Sequence, residues 1–276
     1  MTVDVARRNG IVEITLDRPA KRNAMTDAMW SRLDEILSEI EPGGRDRVLV
    51  VTGAGGAFCG GSDVGGLLDD LESLPSRIDV SNRCVLAMRE LAIPTIAKVD
   101  GVAAGSGANL ALACDFVIAG ARARFAQLFI HRGLSLDSGA SWLLPRLVGE
   151  RRARHLCLLG STVEAADAMA MGMLTELVDS QRLDTRVEEL ARTLAGFSSP
   201  ALAGTKRMLN RSWENSLAAA LRAETENQVR VIATDAAREG ITSFGSGTAQ
   251  PCPAPSDSRA PSERKSGNQG HGTSGQ

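Results

Sequence analysis

The chain has 276 residues, 43% hydrophobic and 23% charged, which is ordinary globular composition with length for one large or two small domains. Its 31 Lys and Arg against 33 Asp and Glu leave a formal charge of -2, so no field of one sign points to nucleic acid or to an acidic membrane surface. Cys59, Cys84, Cys114, Cys157 and Cys252 stand singly, without CxxC or Cys/His spacing, and speak against a disulfide framework or a zinc site.

In chain order, β-branched runs at 2–7 and 11–16 flank Asn9-Gly10, the two-residue signal of a tight hairpin. Met1 to Arg8 has no apolar core of a signal peptide, and no stretch of about 18 uncharged apolar residues occurs, so the expectation is a cytoplasmic protein without a membrane span. Thr26 is a good N-cap, and Met29, Leu33, Ile36, Leu37 and Ile40 recur at helical spacing until Pro42-Gly43-Gly44. Apolar runs at 48–51, 95–99 and 116–119 read as buried strands of a sheet covered on both faces. Helical patterns at about 78–91 and 107–114 lie between them and suit right-handed crossovers. Further on the pattern predicts helices over 138–148, 151–159, 164–171, 184–196, 201–211 and 213–237, with one short strand near 174–178. Half of the residues from Gly245 to Gln276 are Gly, Ser or Pro, and none is a large aliphatic or aromatic residue, so a disordered tail is expected over 245–276.

Familiar motifs fail. After the 48–51 strand, Gly53-Ala54-Gly55-Gly56-Ala57-Phe58 has Phe where a dinucleotide fingerprint needs its third glycine. No P-loop lysine follows a GxxxxG spacing, and Gly60-Gly61-Ser62-Asp63-Val64 has Val64 where a nucleophile elbow needs its second glycine. His131, His155 and His271 are too scattered for a metal site, and none is expected.

Two glycine-rich turns remain, 55–63 after one buried strand and 101–107 after another, and a parallel sheet would bring both to its carboxyl edge. Such turns allow close backbone approach, and two N–H groups aimed at one point form an oxyanion hole. Each turn alone is equally a tight connection from strand to helix. Together with Leu16-Asp17-Arg18-Pro19-Ala20-Lys21-Arg22-Asn23-Ala24-Met25, the segments Ala57–Asp63 and Val99–Asp115 resemble the three signature stretches of the enoyl-CoA hydratase/isomerase (crotonase) family, in order and spacing. The likeness continues to about Phe244.

That resemblance implies an α/β fold, a crotonase-like ββα spiral core over 1–195 followed by a helical C-terminal trimerisation region over 196–244. It implies an acyl-CoA thioester as ligand, a homotrimer or hexamer, and no cofactor beyond the coenzyme A carried by the substrate. Matched residue by residue, Ser62 and Ser106 supply the oxyanion-hole N–H groups, Lys21 and Arg22 lie near the CoA phosphates, and the Ala24 backbone lines the CoA groove. Where hydratases of the family carry two glutamates, this chain has Asn109 and Phe129. Each missing acid or base is worth on the order of 10²–10⁴ in rate, so ordinary hydration is expected to be slow. Asp137, in a loop resembling that of the phenylacetate-pathway isomerase branch, takes the catalytic role in this reading. The reaction it implies is a double-bond shift in an enoyl-CoA; the alternatives are a hydratase with relocated acid/base groups and a non-catalytic acyl-CoA-binding protein. Asp137 could instead cap the helix that follows, with a lowered pKa; a base needs the opposite shift, from burial against Leu136, Phe129 and Trp142.

Overall fold

The computed structural model describes residues 2–41 and 43–245. Asn9 and Gly10 both take positive φ, 51° and 80°, which matches the twist of the strands they join. Across this turn β1 (Thr2–Arg8) and β2 (Ile11–Asp17) pair antiparallel, Arg8 opposite Ile11. Thr26 caps α1 (Asp27–Ser38) by accepting the Met29 N–H at 3.3 Å, and the helix buries Trp30, Leu33 and Ile36. After β3 (Val48–Gly53) comes α2 (Leu74–Glu90), which starts four residues before the predicted 78 because Pro75 sits in its first turn, where a missing N–H costs nothing.

The chain then runs through β4 (Thr95–Val99), β5 (Val102–Ala104), α3 (Ser106–Leu112), β6 (Phe116–Gly120) and β7 (Arg124–Ala126). Next come α4 (Ala140–Val148), α5 (Glu150–Leu159), β8 (Thr162–Glu164), α6 (Ala165–Met171) and β9 (Glu176–Val178). Helices α7 (Leu183–Gly196), α8 (Ser199–Asn210), α9 (Leu217–Ile232) and α10 (Asp235–Gly245) follow.

The larger sheet has the order β1-β2-β3-β4-β6-β9 and is parallel from β2 onward. Alternate residues of its strands point to opposite faces. Val12, Ile14, Leu49, Val51, Ala97 and Val117 meet the main core with α1, α2 and α3, whereas Val48, Val50, Ile96 and Ile118 meet Leu183, Val187 and Leu194 of α7. The predicted double coverage of the sheet is thus explained strand by strand. A second sheet, β5-β7-β8, runs parallel from β5 to β7 and antiparallel to β8. Its strands have three residues each, too short to show a period of two.

The C-terminal region differs from expectation in two places. The helix predicted over 213–237 is broken at Thr234, whose hydroxyl accepts the Ala237 N–H at 3.3 Å and caps a new helix. That helix, α10, includes Gly245, where the tail was expected to begin; residues 246–276 lie outside the described residues. Among the described residues, no helix is long and apolar enough to cross a membrane.

Candidate active site

Adjacent strands β3 and β4 deliver the two glycine-rich turns to one edge, and β5 zips them together. The Cys59 N–H donates to the Val102 carbonyl at 2.9 Å, and the Ala104 N–H donates back to the Cys59 carbonyl at 2.8 Å. Gly61 turns the chain at φ +95°, and a Cβ there would stand 2.9 Å from the Ala104 carbonyl oxygen, so glycine alone fits. The result is a direct approach of Ser62 to Ser106, whose Oγ atoms lie 2.9 Å apart. Neither residue's backbone N–H donates to an acceptor among the described residues. From α1, the Trp30 indole N–H donates to Ser62 Oγ at 3.1 Å.

These groups face a cavity of about 280 Å³. Its walls are Trp30, Gly60 to Val64, Gly105, Ser106, Phe129 and the loop from Leu134 to Asp137, closed by Leu74, Arg77 and Ile78 of α2. Three carboxylates border it. Asp27 pairs with Arg77 Nε at 2.8 Å, and Asp63 pairs with Arg18 Nη1 at 2.6 Å. Asp137 has no cationic partner among the described residues, and its Oδ1 is buried without a hydrogen bond.

The electrostatics follow from those partners. The Gly65 N–H and the Arg18 guanidinium, aided by Lys21, hold the Asp63 carboxyl below its usual range. Burial pushes the Asp137 carboxyl up, opposed only by a side-chain hydrogen bond with Ser138. Asp137 is not the cap of α4: Gly139, at φ +80°, holds that position and no side chain caps the helix. Leu136 and Phe129 share the cavity with Asp137, as anticipated. Trp142 does not; its ring lies under the guanidinium groups of Arg89 and Arg146, 4.7 and 4.1 Å from the centroid.

Asn109 and Phe129, expected together in the pocket, occupy different layers. Phe129 is wall. Asn109 is fully buried and not part of that wall; its Nδ2 donates to the Asp137 carbonyl at 3.1 Å and its Oδ1 accepts from Gln127 Nε2 at 2.8 Å. It therefore holds the backbone of the loop that presents Asp137.

Lys21 and Arg22 are exposed and outside the cavity wall, Lys21 ending a short 3-10 turn and Arg22 at φ +51°. The Arg22 carbonyl accepts the Gly60 N–H at 2.8 Å, which keeps the basic pair beside the Gly60-Gly61 wall. Ala24 is half-buried, and its carbonyl accepts from Arg18 Nη1 at 2.9 Å. Two residues that the sequence reading passed over organise this corner. Asn23, fully buried at φ +57°, donates its Nδ2 to the carbonyls of Ala54 and Ala57 at 2.8 and 2.7 Å, while its Oδ1 accepts the Arg18 N–H at 2.8 Å. Arg18 joins the same segment to Asp63. Trp30 was likewise read only as helix, since its indole N–H reaches a residue 32 positions away.

A spiral of two sheets wrapped by helices, with two glycine-rich turns meeting at a cavity, places the chain in the crotonase class of α/β folds. The family model for enoyl-CoA hydratase/isomerase matches residues 6–248, and the chain belongs to that family. It is 36% identical over 240 residues to the 1,2-epoxyphenylacetyl-CoA isomerase of Escherichia coli (strain K12), covering 85% of this chain and 92% of that one. A Streptomyces coelicolor A3(2) structure assigned as an enoyl-CoA hydratase superposes with a TM-score of 0.86 at 38% identity, over 90% of this chain and 92% of that one. A Thermobifida fusca YX protein assigned as an enoyl-CoA hydratase, solved in complex with acetoacetyl-CoA, gives a TM-score of 0.79 at 30% identity, over 84% and 94% of the two chains.

Proposed function

We propose that the protein shifts a double bond in an enoyl-CoA through a thioester enolate, with Asp137 moving the proton. The observation that carries this reading is the cavity's one carboxylate without a cation among the described residues, half-buried and lining the same cavity as the two serines with uncommitted backbone N–H groups. In this mechanism the thioester oxygen sits between the N–H groups of Ser62 and Ser106. Charge that grows on it as the enolate forms is stabilised by several kcal/mol in a water-poor site. Asp137 takes a proton from the carbon at one end of the dienolate and returns it at the other, so one carboxylate serves both steps. Its raised pKa brings it closer to the carbon acid and keeps it able to give the proton back. Asn109 fixes the loop and Phe129 keeps the wall apolar, so neither exchanges protons, which disfavours hydration by the two-glutamate route.

Lys21 and Arg22 are the proposed contacts to the CoA phosphates and Ala24 the backbone wall of its groove; that a Thermobifida relative was solved with acetoacetyl-CoA supports the ligand class. Self-association is proposed as well, because Leu217, Val229 and Phe244 of α9 and α10 leave 76%, 65% and 81% of their surface exposed.

The test is Asp137→Asn assayed on a panel of 2-enoyl-, 3-enoyl- and aryl-acetyl-CoA thioesters with product mass spectrometry. Isomerisation should fall by roughly 10²-fold or more while thioester binding by calorimetry persists. Full activity in the variant removes Asp137 from the chemistry. Rapid hydration of crotonyl-CoA by the wild type would instead favour a hydratase.

A further inference from the structure

The residues that carry the two uncommitted N–H groups are both serines, and their hydroxyls form a small network of their own. An indole N–H can only donate, so Ser62 Oγ accepts from Trp30 Nε1 at 3.1 Å. The second bond joins Ser62 Oγ and Ser106 Oγ at 2.9 Å; either hydroxyl can be its donor, and the deeper burial of Ser106 favours Ser106 in that role. Ser106 is 2% exposed and its hydroxyl has no other acceptor among the described residues. Donation to Ser62 keeps that hydrogen paired within the protein, since a buried hydroxyl hydrogen left unpaired is costly. Ser62 is exposed to the cavity. With both lone pairs of Ser62 Oγ taken by Trp30 and Ser106, its own hydrogen is the one left over. A hydroxyl in that state can only donate, and two incoming hydrogen bonds polarise it further.

We infer that the Ser62 hydroxyl is a third hydrogen-bond donor to the enolate oxygen, set in that role by Trp30 and Ser106. The inference rests on the enolate reading above and adds a side chain to a hole otherwise made of backbone. Ser62 would touch the substrate oxygen directly, whereas Trp30 and Ser106 would act as positioning residues through it. The same saturation prevents Ser62 from accepting a proton, so it is no rival to Asp137 as base.

The experiment measures α-proton exchange in D₂O with phenylacetyl-CoA and trans-3-hexenoyl-CoA, which reports enolate formation, together with kcat and KM on the latter. Ser62→Ala keeps the backbone N–H and removes the third donor; exchange and kcat should fall by roughly 10- to 100-fold with KM changed less than about threefold. Ser62→Thr keeps the hydroxyl and should recover most of that loss, which also covers a poorly folded alanine variant. Ser106→Ala and Trp30→Phe free one lone pair each and should cost less than Ser62→Ala, again in kcat. Wild-type exchange with an unchanged rate in folded Ser62→Ala overturns this inference and leaves the enolate reading standing. If the wild type binds both thioesters yet exchanges no α-proton, the enolate reading and the third donor fall together.

Discussion

Between β2 and α4 the polar groups that turn inward are held by partners from distant parts of the chain, as with Asn23, Asn109 and Gln127, whereas α9 buries only Asn227 and α10 buries nothing. The first region draws its order from the sheet: six strands fix the turns, and the turns fix the cavity. The last two helices have amphipathic sequences but leave Leu217, Leu221, Ile232 and Phe244 in the open. The contrast separates a self-sufficient core from helices whose apolar faces need another surface. The helix that leads into them, α8, is tied to the core by one ion pair. Lys206 of α8 is nearly buried, 2.7 Å from Asp115 Oδ2 and 3.1 Å from the Ile93 carbonyl, and Asp115 also accepts the Thr95 N–H at 2.8 Å.

The largest effect is expected where the turns meet. Gly61→Val demands a positive φ from a β-branched residue and drives its Cβ into the Ala104 carbonyl. It should separate Ser62 from Ser106 and lower kcat/KM by at least about 10²-fold, because oxyanion donors misplaced by even an ångström lose most of their value. An active Gly61→Val enzyme would mean the approach of the two turns is not what organises the cavity.

Next comes Lys206→Ala, which takes the cation from Asp115, a carboxylate that is partly open to solvent and keeps its bonds to the Thr95 N–H and hydroxyl. With only the lysine side buried, losing the pair costs about 1–2 kcal/mol, or a Tm lower by roughly 4 °C in a chain of this size. Scanning calorimetry checks it, and a shift under about two degrees would show that α8 is not anchored through this pair. The paired substitution Leu221→Ser and Phe244→Ser should have a far smaller effect on monomer stability, within about 0.5 kcal/mol, since both side chains are already in water. What it should change is mass in solution: light scattering is expected to show an oligomer in the wild type and a smaller species in the variant. A monomeric wild type removes the assembly from the proposal.

The same contrast explains what could be read in advance. The strands at 48–53, 95–99 and 116–120 announce themselves because both faces are apolar, and the hairpin because Asn9-Gly10 has one structural use. Ser62, Ser106 and Asp137 were brought into one cavity as their segments suggested. Trp142 was misplaced because the pattern does not reveal which face of α4 meets the cavity. The Asn109 contact depends on the Asp137 carbonyl, 28 residues away, and backbone acceptors carry no signature in side-chain order. Asn23 and Arg18 stood inside a recognised motif, yet their partners lie 31 to 45 residues on and were visible only after folding. The thiols of Cys59 and Cys114, pushed by burial to about 12, turn out to be core side chains with no nucleophilic role.

The smallest expected effect is on the stability of Asp137 variants, and its sign separates base from scaffold. In the unfolded chain this carboxyl titrates near the ordinary aspartate value of about 3.9. In the folded protein burial raises it, so the folded state holds the proton longer. The stability this group contributes is therefore complete below the unfolded pKa and is lost as pH rises through the folded pKa. Asn at 137 never ionises and carries no such loss. Asp137→Asn should match the wild-type Tm in acid and exceed it slightly at neutral pH, with the gap opening between the ordinary carboxylate range and the raised folded value. Wild-type kcat should rise across that same upper limb, because the base must be ionised to take a proton. A cap with a lowered pKa would behave oppositely, the variant losing stability at neutral pH. A Tm gap and a kcat limb that open in one window would tie both to Asp137, the cavity carboxylate left without a cation.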